Sequence, residues 1–95
     1  MRAYECVVVL KPDQEEEVLN GTVERLSAVV TGQGGTLSEV NRWGKRRLAY
    51  EIGGFREGYY LLLKFQGEAG VPAELERVLK LSEDVLRHLV VREGE

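Results

Sequence analysis

The run Cys6-Val7-Val8-Val9-Leu10 is the feature that most restricts how this chain can fold. Five consecutive apolar residues, three of them β-branched, cannot alternate between core and water. A strand carrying them, from Tyr4 to Leu10, belongs in the middle of a sheet and is covered at least partly on both faces. Lys11-Pro12 ends it. Asp13 then stands three residues before Glu16, the spacing of a capping box, and Glu15, Glu16 and Glu17 put negative charge into the first turn of a helix. From Gln14 to about Thr31, the residues Leu19, Thr22, Val23, Leu26 and Val30 recur at steps of three and four, the stripe of an amphipathic helix. Gly32-Gln33-Gly34-Gly35 follows that helix rather than opening one. It reads as a stop and turn, not as a phosphate cradle backed by a helix N-terminus.

Thr36 to Ile52 reads as a long strand, interrupted at Gly44 by a bulge or bend. Leu48, Tyr50 and Ile52 alternate with Ala49 and Glu51, and that parity assigns Tyr50 to the core with its two apolar neighbours. Trp43 has the opposite parity unless Gly44 shifts the register. The segment from Gly53 to Gly58 is predicted to be a hairpin loop longer than two residues. The strand after it, Tyr59 to Gln66, turns Tyr59, Leu61, Leu63 and Phe65 inward. A second helix is predicted from Pro72, which a first turn tolerates, to Leu81; Leu75, Val78 and Leu79 form its buried side, with Leu81 as a further candidate. Ser82-Glu83-Asp84 turns into a last strand, Val85 to Arg92. The order is β-α-β-β-α-β. Two split βαβ units with right-handed crossovers give a four-stranded antiparallel sheet with both helices on one face, the α+β, ferredoxin-like plan. Ninety-five residues suit one domain, spanning 1–95.

Catalytic chemistry is hard to find. The only histidine, His88, lies among apolar strand residues, and the lone Cys6 sits inside the most apolar strand. No phosphate loop, zinc spacing or dinucleotide fingerprint occurs, and the acidic run Glu15–Glu17 has no His or Cys partner at ligand spacing. The expectation is a protein that is not an enzyme, with no cofactor, no metal and no small-molecule substrate. No apolar run approaches the ~20 residues of a membrane span, so no membrane partner is expected. The strand pattern begins within a few residues of Met1, so no targeting segment is expected and the expected compartment is the cytoplasm.

One segment remains to be explained. Four of the thirteen Lys and Arg residues, Arg42, Lys45, Arg46 and Arg47, lie within six positions together with Trp43, the only tryptophan, on a chain of net charge −3. Local positive charge beside an aromatic suits a phosphate backbone. The plain alternative is a solvated hairpin strand kept soluble by its charges. The fold plan is shared with an RNA-recognition module whose third strand carries stacking rings, signature K/R-G-F/Y-G/A-F-V-x-F/Y. Aligned on Gly58-Tyr59, this chain has Glu57, Tyr60, Leu61 and Lys64 where that signature needs a basic, a small and two aromatic residues. Bound RNA would therefore meet the basic segment and the strand ends, not the centre of the sheet.

The run Trp43-Gly44-Lys45-Arg46-Arg47-Leu48-Ala49-Tyr50-Glu51-Ile52 resembles the second strand of the sixth protein of the bacterial small ribosomal subunit, a family with the pattern W/L-G-x-R-x-L-A-Y-x-I. The opening Met1-Arg2-Ala3-Tyr4-Glu5, the Gly58-Tyr59-Tyr60 start of the third strand and the closing Val90-Val91-Arg92 extend the resemblance over the whole chain. The resemblance implies a non-enzymatic scaffold that binds the central domain of small-subunit ribosomal RNA as a heterodimer with small-subunit protein eighteen. It points to Arg2, Tyr4, Lys45, Arg46, Arg47, Arg87 and Arg92 as RNA-side residues. By the family's strand order, Arg2 would lie near Arg92. Arg42, Trp43 and Tyr60 are the candidates for contact with the partner protein. The acidic helices are expected to face away from RNA, and a basic partner would complete the surface of an acidic protein. The alternative is a module that pairs with itself or another protein through an exposed strand edge, without direct RNA binding. A small-ligand regulatory domain would need a glycine-rich loop, and a phosphate-hydrolysing relative an arginine, where this chain has Lys11-Pro12-Asp13.

Overall fold

The computed structural model describes residues 2–94; Met1, the first residue of the opening motif, and the terminal Glu95 lie outside the described residues. The elements are β1 (Arg2–Leu10), α1 (Glu16–Gly32), β2 (Thr36–Ile52), β3 (Phe55–Gly67), α2 (Gly70–Leu81) and β4 (Val85–Arg92). All strand pairs are antiparallel, in the order β2-β3-β1-β4, which is the ferredoxin-like arrangement. As the apolar run requires, β1 is an inner strand. It pairs with β3 from Arg2↔Gly67 to Leu10↔Tyr59 and with β4 from Tyr4↔Arg92 to Leu10↔Val85.

One face of the sheet and both helices share the core. Tyr4, Cys6, Val8 and Leu10 of β1 and Leu61, Leu63 and Phe65 of β3 cluster with Leu19, Leu26 and Val30 of α1 and Val71, Leu75 and Leu79 of α2. The Tyr4 ring stacks on Phe65, with centroids 5.4 Å apart. Thr22, the one buried polar residue of the α1 stripe, donates its hydroxyl hydrogen to the Val18 carbonyl, so its burial leaves no unpaired group. In α2, Leu81 is 71% exposed rather than buried. It follows Leu79 by two residues, roughly 200° around a helix, and so leaves the buried side. The helix also begins at Gly70, two residues ahead of Pro72.

Two local expectations fail for reasons visible in the backbone. No side-chain cap forms at the start of α1, where Glu15 is the N-cap. The Asp13 carboxylate instead receives Lys45, its Oδ1 lying 3.3 Å from Nζ. The hairpin between β2 and β3 has a two-residue turn, not a loop reaching Gly58. Gly53 (φ 55°) and Gly54 (φ 86°) are both left-handed, the pair of positive angles a tight hairpin turn with native twist requires.

The larger departure lies within β2. Arg42 pairs with Leu61 and Gly44 with Tyr60, so two steps on β2 match one on β3 and Trp43 is the extra residue of a bulge. Gly44 supplies the left-handed angle, φ 87°. Before the bulge the even-numbered residues Val40 and Arg42 face the helices. After it, Arg46 lies opposite Gly58, whose added Cβ would meet Val9 Cγ1 at 2.4 Å and Leu48 Cδ2 at 3.4 Å. Val9 alternates with the core residues Val8 and Leu10, so this is the open face of the sheet. Leu48 is buried there beside Val9, outside the core cluster, and Tyr50 is 61% exposed. The assignment of Tyr50 to the core is thus overturned by a one-residue bulge that swaps the faces of the residues following it, with a further register shift between Arg47 and Ile52.

Substituting Gly44 should cost stability through the backbone alone, because nothing lies within 4 Å of an added Cβ. Gly44→Ala is expected to lose about 1–2 kcal/mol in urea denaturation and Gly44→Asn less, since Asn tolerates the left-handed region. Equal stability of all three proteins would rule out the strained bulge. Burial pushes the Cys6 thiol from 9.0 up to about 12, with a smaller upward push from Glu76. A raised folded-state value means that Cys6 leaves stability untouched below pH 9 and lowers it as pH rises from there toward 12. Between pH 9 and 11, wild-type stability should therefore fall more steeply than that of Cys6→Ala, and parallel curves would contradict this.

Candidate nucleic-acid interface

The basic run occupies β2 around the bulge, and its members point in different directions. Arg42, ahead of the bulge, lies on the helix side, where Nη1 stands 3.2 Å from Glu16 Oε1. Lys45 reaches Asp13 on the same side. The acidic start of α1 therefore does not face away from the basic run but pairs with it. All four groups sit at the surface, so these pairs exchange readily with other anions. Trp43 projects onto the open face and stacks on Tyr60, with centroids 6.3 Å apart and planes at 17°. Arg46 lies over the Trp43 ring at 5.6 Å. Its charge is held against an indole face while the guanidinium stays at the surface. Arg47 is exposed, lies opposite Glu57 in the register, and has no ion-pair partner among the described residues.

Across the sheet, β4 brings Arg87 to the same end. Its Nη1 donates to the Tyr50 hydroxyl at 2.7 Å, linking the two edge strands over the open face. The remaining expected RNA-side residues are elsewhere. Arg92 pairs with Tyr4, and the Glu93 amide donates to the Ala3 carbonyl at 2.9 Å, so the start of β1 and the end of β4 do lie side by side, as expected for Arg2 and Arg92. This corner is five residues along β4 from Arg87, roughly 17 Å. The ring of Tyr4 is in the core, 6% exposed, which leaves it to shape this corner rather than present a surface.

The seven residues thus form two groups, Lys45, Arg46, Arg47 and Arg87 at one end of the sheet and Arg2, Tyr4 and Arg92 at the other. Their surroundings differ. Glu39 and Glu5 flank Lys64 in the register at the Arg92 end, and Lys64 Nζ is 3.6 Å from Glu5. Asn41 donates to Glu39. The Glu93 carboxyl there is held above its usual range, first by a hydrogen bond to Glu5, with desolvation and the Glu5 charge adding and Lys64 opposing. One end of the open face is basic and the other mixed with acids.

Of the three partner-contact candidates, Trp43 and Tyr60 come together while Arg42 sits apart on the helix side. Around the stacked pair the open face is apolar. Val9, Leu48 and Leu62 are buried in it, Leu89 and Val91 are exposed on it, and a groove of about 190 Å³ is lined by Val7, Val9, Tyr60, Arg87, His88 and Leu89. An exposed apolar stretch of this kind marks a surface that meets another macromolecule.

Sequence reasoning missed Arg56 and the outward role of Tyr50. A second cavity, of about 220 Å³, is lined by Arg47, Leu48, Tyr50, Glu51 and Arg56. The signal was the glycine pair at 53 and 54. Read as a tight turn, it brings Phe55 opposite Ile52 and folds Arg56 back onto the end of β2. Among the described residues no helix is long and apolar enough to cross a membrane, and no group of three or more His, Cys, Asp or Glu side chains could hold a metal ion.

Comparison with known proteins bears on the same features. The family model for ribosomal protein S6 matches residues 3–92. Small ribosomal subunit protein bS6 of Heliobacterium modesticaldum is 50% identical over 95 residues, covering 100% of this chain and 99% of that one. The protein of the same name from Natranaerobius thermophilus is 52% identical, again over 100% of this chain and 99% of its own length. Among solved structures, the crystal structure of 30S ribosomal protein S6 from Thermotoga maritima superposes with a TM-score of 0.91 at 30% identity, covering 97% of this chain and 87% of that one. With the fold, the full-length coverage and the second-strand run all in agreement, the chain belongs to the ribosomal protein S6 family, a family of structural ribosomal proteins and not of enzymes.

Proposed function

We propose that this chain, a protein of the bacterial small ribosomal subunit and so of the cytoplasmic ribosome, binds the central domain of small-subunit ribosomal RNA together with small-subunit protein eighteen. The observation that carries the reading is the gathering of Lys45, Arg46, Arg47 and Arg87 at one end of the sheet on a chain whose net charge is −3. Phosphates approaching that end neutralise the cations and release counterions, and this sets both affinity and its salt dependence. Asp13 and Glu16 hold Lys45 and Arg42 until RNA replaces them. Phosphates also bring back the negative charge that the surface pairs supplied, so little of the attraction is lost in the exchange.

The open face supports the second half of the proposal. It offers the Trp43–Tyr60 stack and an apolar groove, with Glu5, Glu39 and Glu93 at its far end. A basic protein with apolar side chains complements all three. The exposed Leu89, Val91 and Trp43 also fit self-association, which is the second reading.

Binding of a central-domain RNA fragment at several salt concentrations, with and without protein eighteen, separates the readings. Tight, salt-sensitive binding is expected when the partner is present. Arg46→Ala with Arg47→Ala should leave the fold intact, because both side chains are exposed, and should weaken binding while flattening the salt slope by roughly 1.4–1.8 log units. Absence of RNA binding in both arms, with a dimer in light scattering, would replace the proposal with self-association.

A further inference from the structure

Resting on the RNA-binding reading, we infer that Arg47 and Arg56 form a two-guanidinium seat for a single backbone phosphodiester at the tip of the β2–β3 hairpin. Both line the cavity of about 220 Å³, together with Leu48, Tyr50 and Glu51. Arg47 is uncommitted, and Arg56 is held only by one exposed ion pair. Arg47 has no ion-pair partner among the described residues, and Arg56 stands with Nε 3.6 Å from Glu51 Oε2, beyond hydrogen-bonding distance, on a side chain 80% exposed. Guanidinium groups offer forked donors that match the oxygens of a phosphate, and two of them on one cavity can meet both non-bridging oxygens of a diester.

The rest of the basic run is already engaged, Arg42 by Glu16 of α1, Lys45 by Asp13 ahead of that helix and Arg46 by the Trp43 ring. The free positive charge of the segment is therefore displaced toward the hairpin. The seat is held in shape by the backbone. The tight turn at Gly53-Gly54 folds Arg56 back beside β2, and the Arg87–Tyr50 hydrogen bond ties down the wall opposite. Glu51 is the one carboxylate in the lining, and an entering phosphate competes with it for Arg56. Removing its charge should then favour the phosphate.

The test uses the full chain with its basic partner protein and the central-domain RNA fragment, titrated over a salt series. Arg56→Gln is expected to weaken RNA binding several-fold and to lower the salt slope by roughly 0.7–0.9 log units, one phosphate contact. Glu51→Gln is expected to tighten binding, and its gain should vanish in the Glu51→Gln, Arg56→Gln double variant. Wild-type affinity and slope in Arg56→Gln would overturn the seat while leaving the RNA-binding reading in place. Loss of partner binding by Arg56→Gln in the absence of RNA would also overturn it, by assigning the arginine to the protein interface. Failure of the wild-type chain to bind RNA at all would remove both.

Discussion

The bulge at Trp43-Gly44 is the constraint on which the surface of this protein depends. Ahead of it, β2 is an edge strand with its own register shift between Leu37 and Glu39, and its Leu37 and Val40 pack on the helix-side core. Beyond it, the same strand turns Arg46, Leu48 and Tyr50 to the open face. A regular strand would send Leu48 and Tyr50 toward the helices and leave the open face without them. One glycine in the left-handed region therefore decides which residues fill the core and which meet a partner.

That division explains how a chain with more acidic than basic residues can present a cationic end. The acids are spread over α1, α2 and the far corner of the open face, whereas the end holding Lys45, Arg46, Arg47, Arg56 and Arg87 has Glu51 and Glu57 as its nearest strand carboxylates. Glu16, in the first turn of α1, and Asp13, just ahead of that helix, reach into this end. They serve the folded protein by pairing two cations and by favouring the positive end of the helix dipole. Exposed pairs of this kind contribute little to stability and are easily exchanged, which suits the role proposed for this surface as a receiver of phosphate.

Much of the architecture was legible in sequence because it rests on local periodicity. The Cys6–Leu10 run demanded an inner strand, the Leu19–Val30 stripe a helix, and the alternation from Tyr59 to Phe65 an inward face; each follows from apolar spacing alone. The misreadings that matter for the surface involve backbone geometry that spacing does not encode. A period of two carried across Gly44 puts Tyr50 in the core, because alternation alone does not encode the face swap. Arg56 has no visible role in a long loop from Gly53 to Gly58 and gains one only when Gly53-Gly54 is a positive-φ pair. Asp13 lost its capping role to a lysine thirty-two residues away, a competition settled only by tertiary packing. Of the site, the basic run was visible as composition, while its partition between the two faces of the sheet required the structure.

The central claim is that RNA meets the hairpin end of the sheet and not the helical layer. Mapping amide and arginine side-chain resonances of the full chain on addition of the central-domain RNA fragment, with protein eighteen present throughout, tests it most directly. Contact at the basic end predicts that Lys45, Arg46, Arg47, Arg56 and Arg87 shift, while Glu24 and Val29 of α1 and Glu74 of α2 stay fixed. Shifts confined to α1 and α2, with the hairpin residues unmoved, would contradict it.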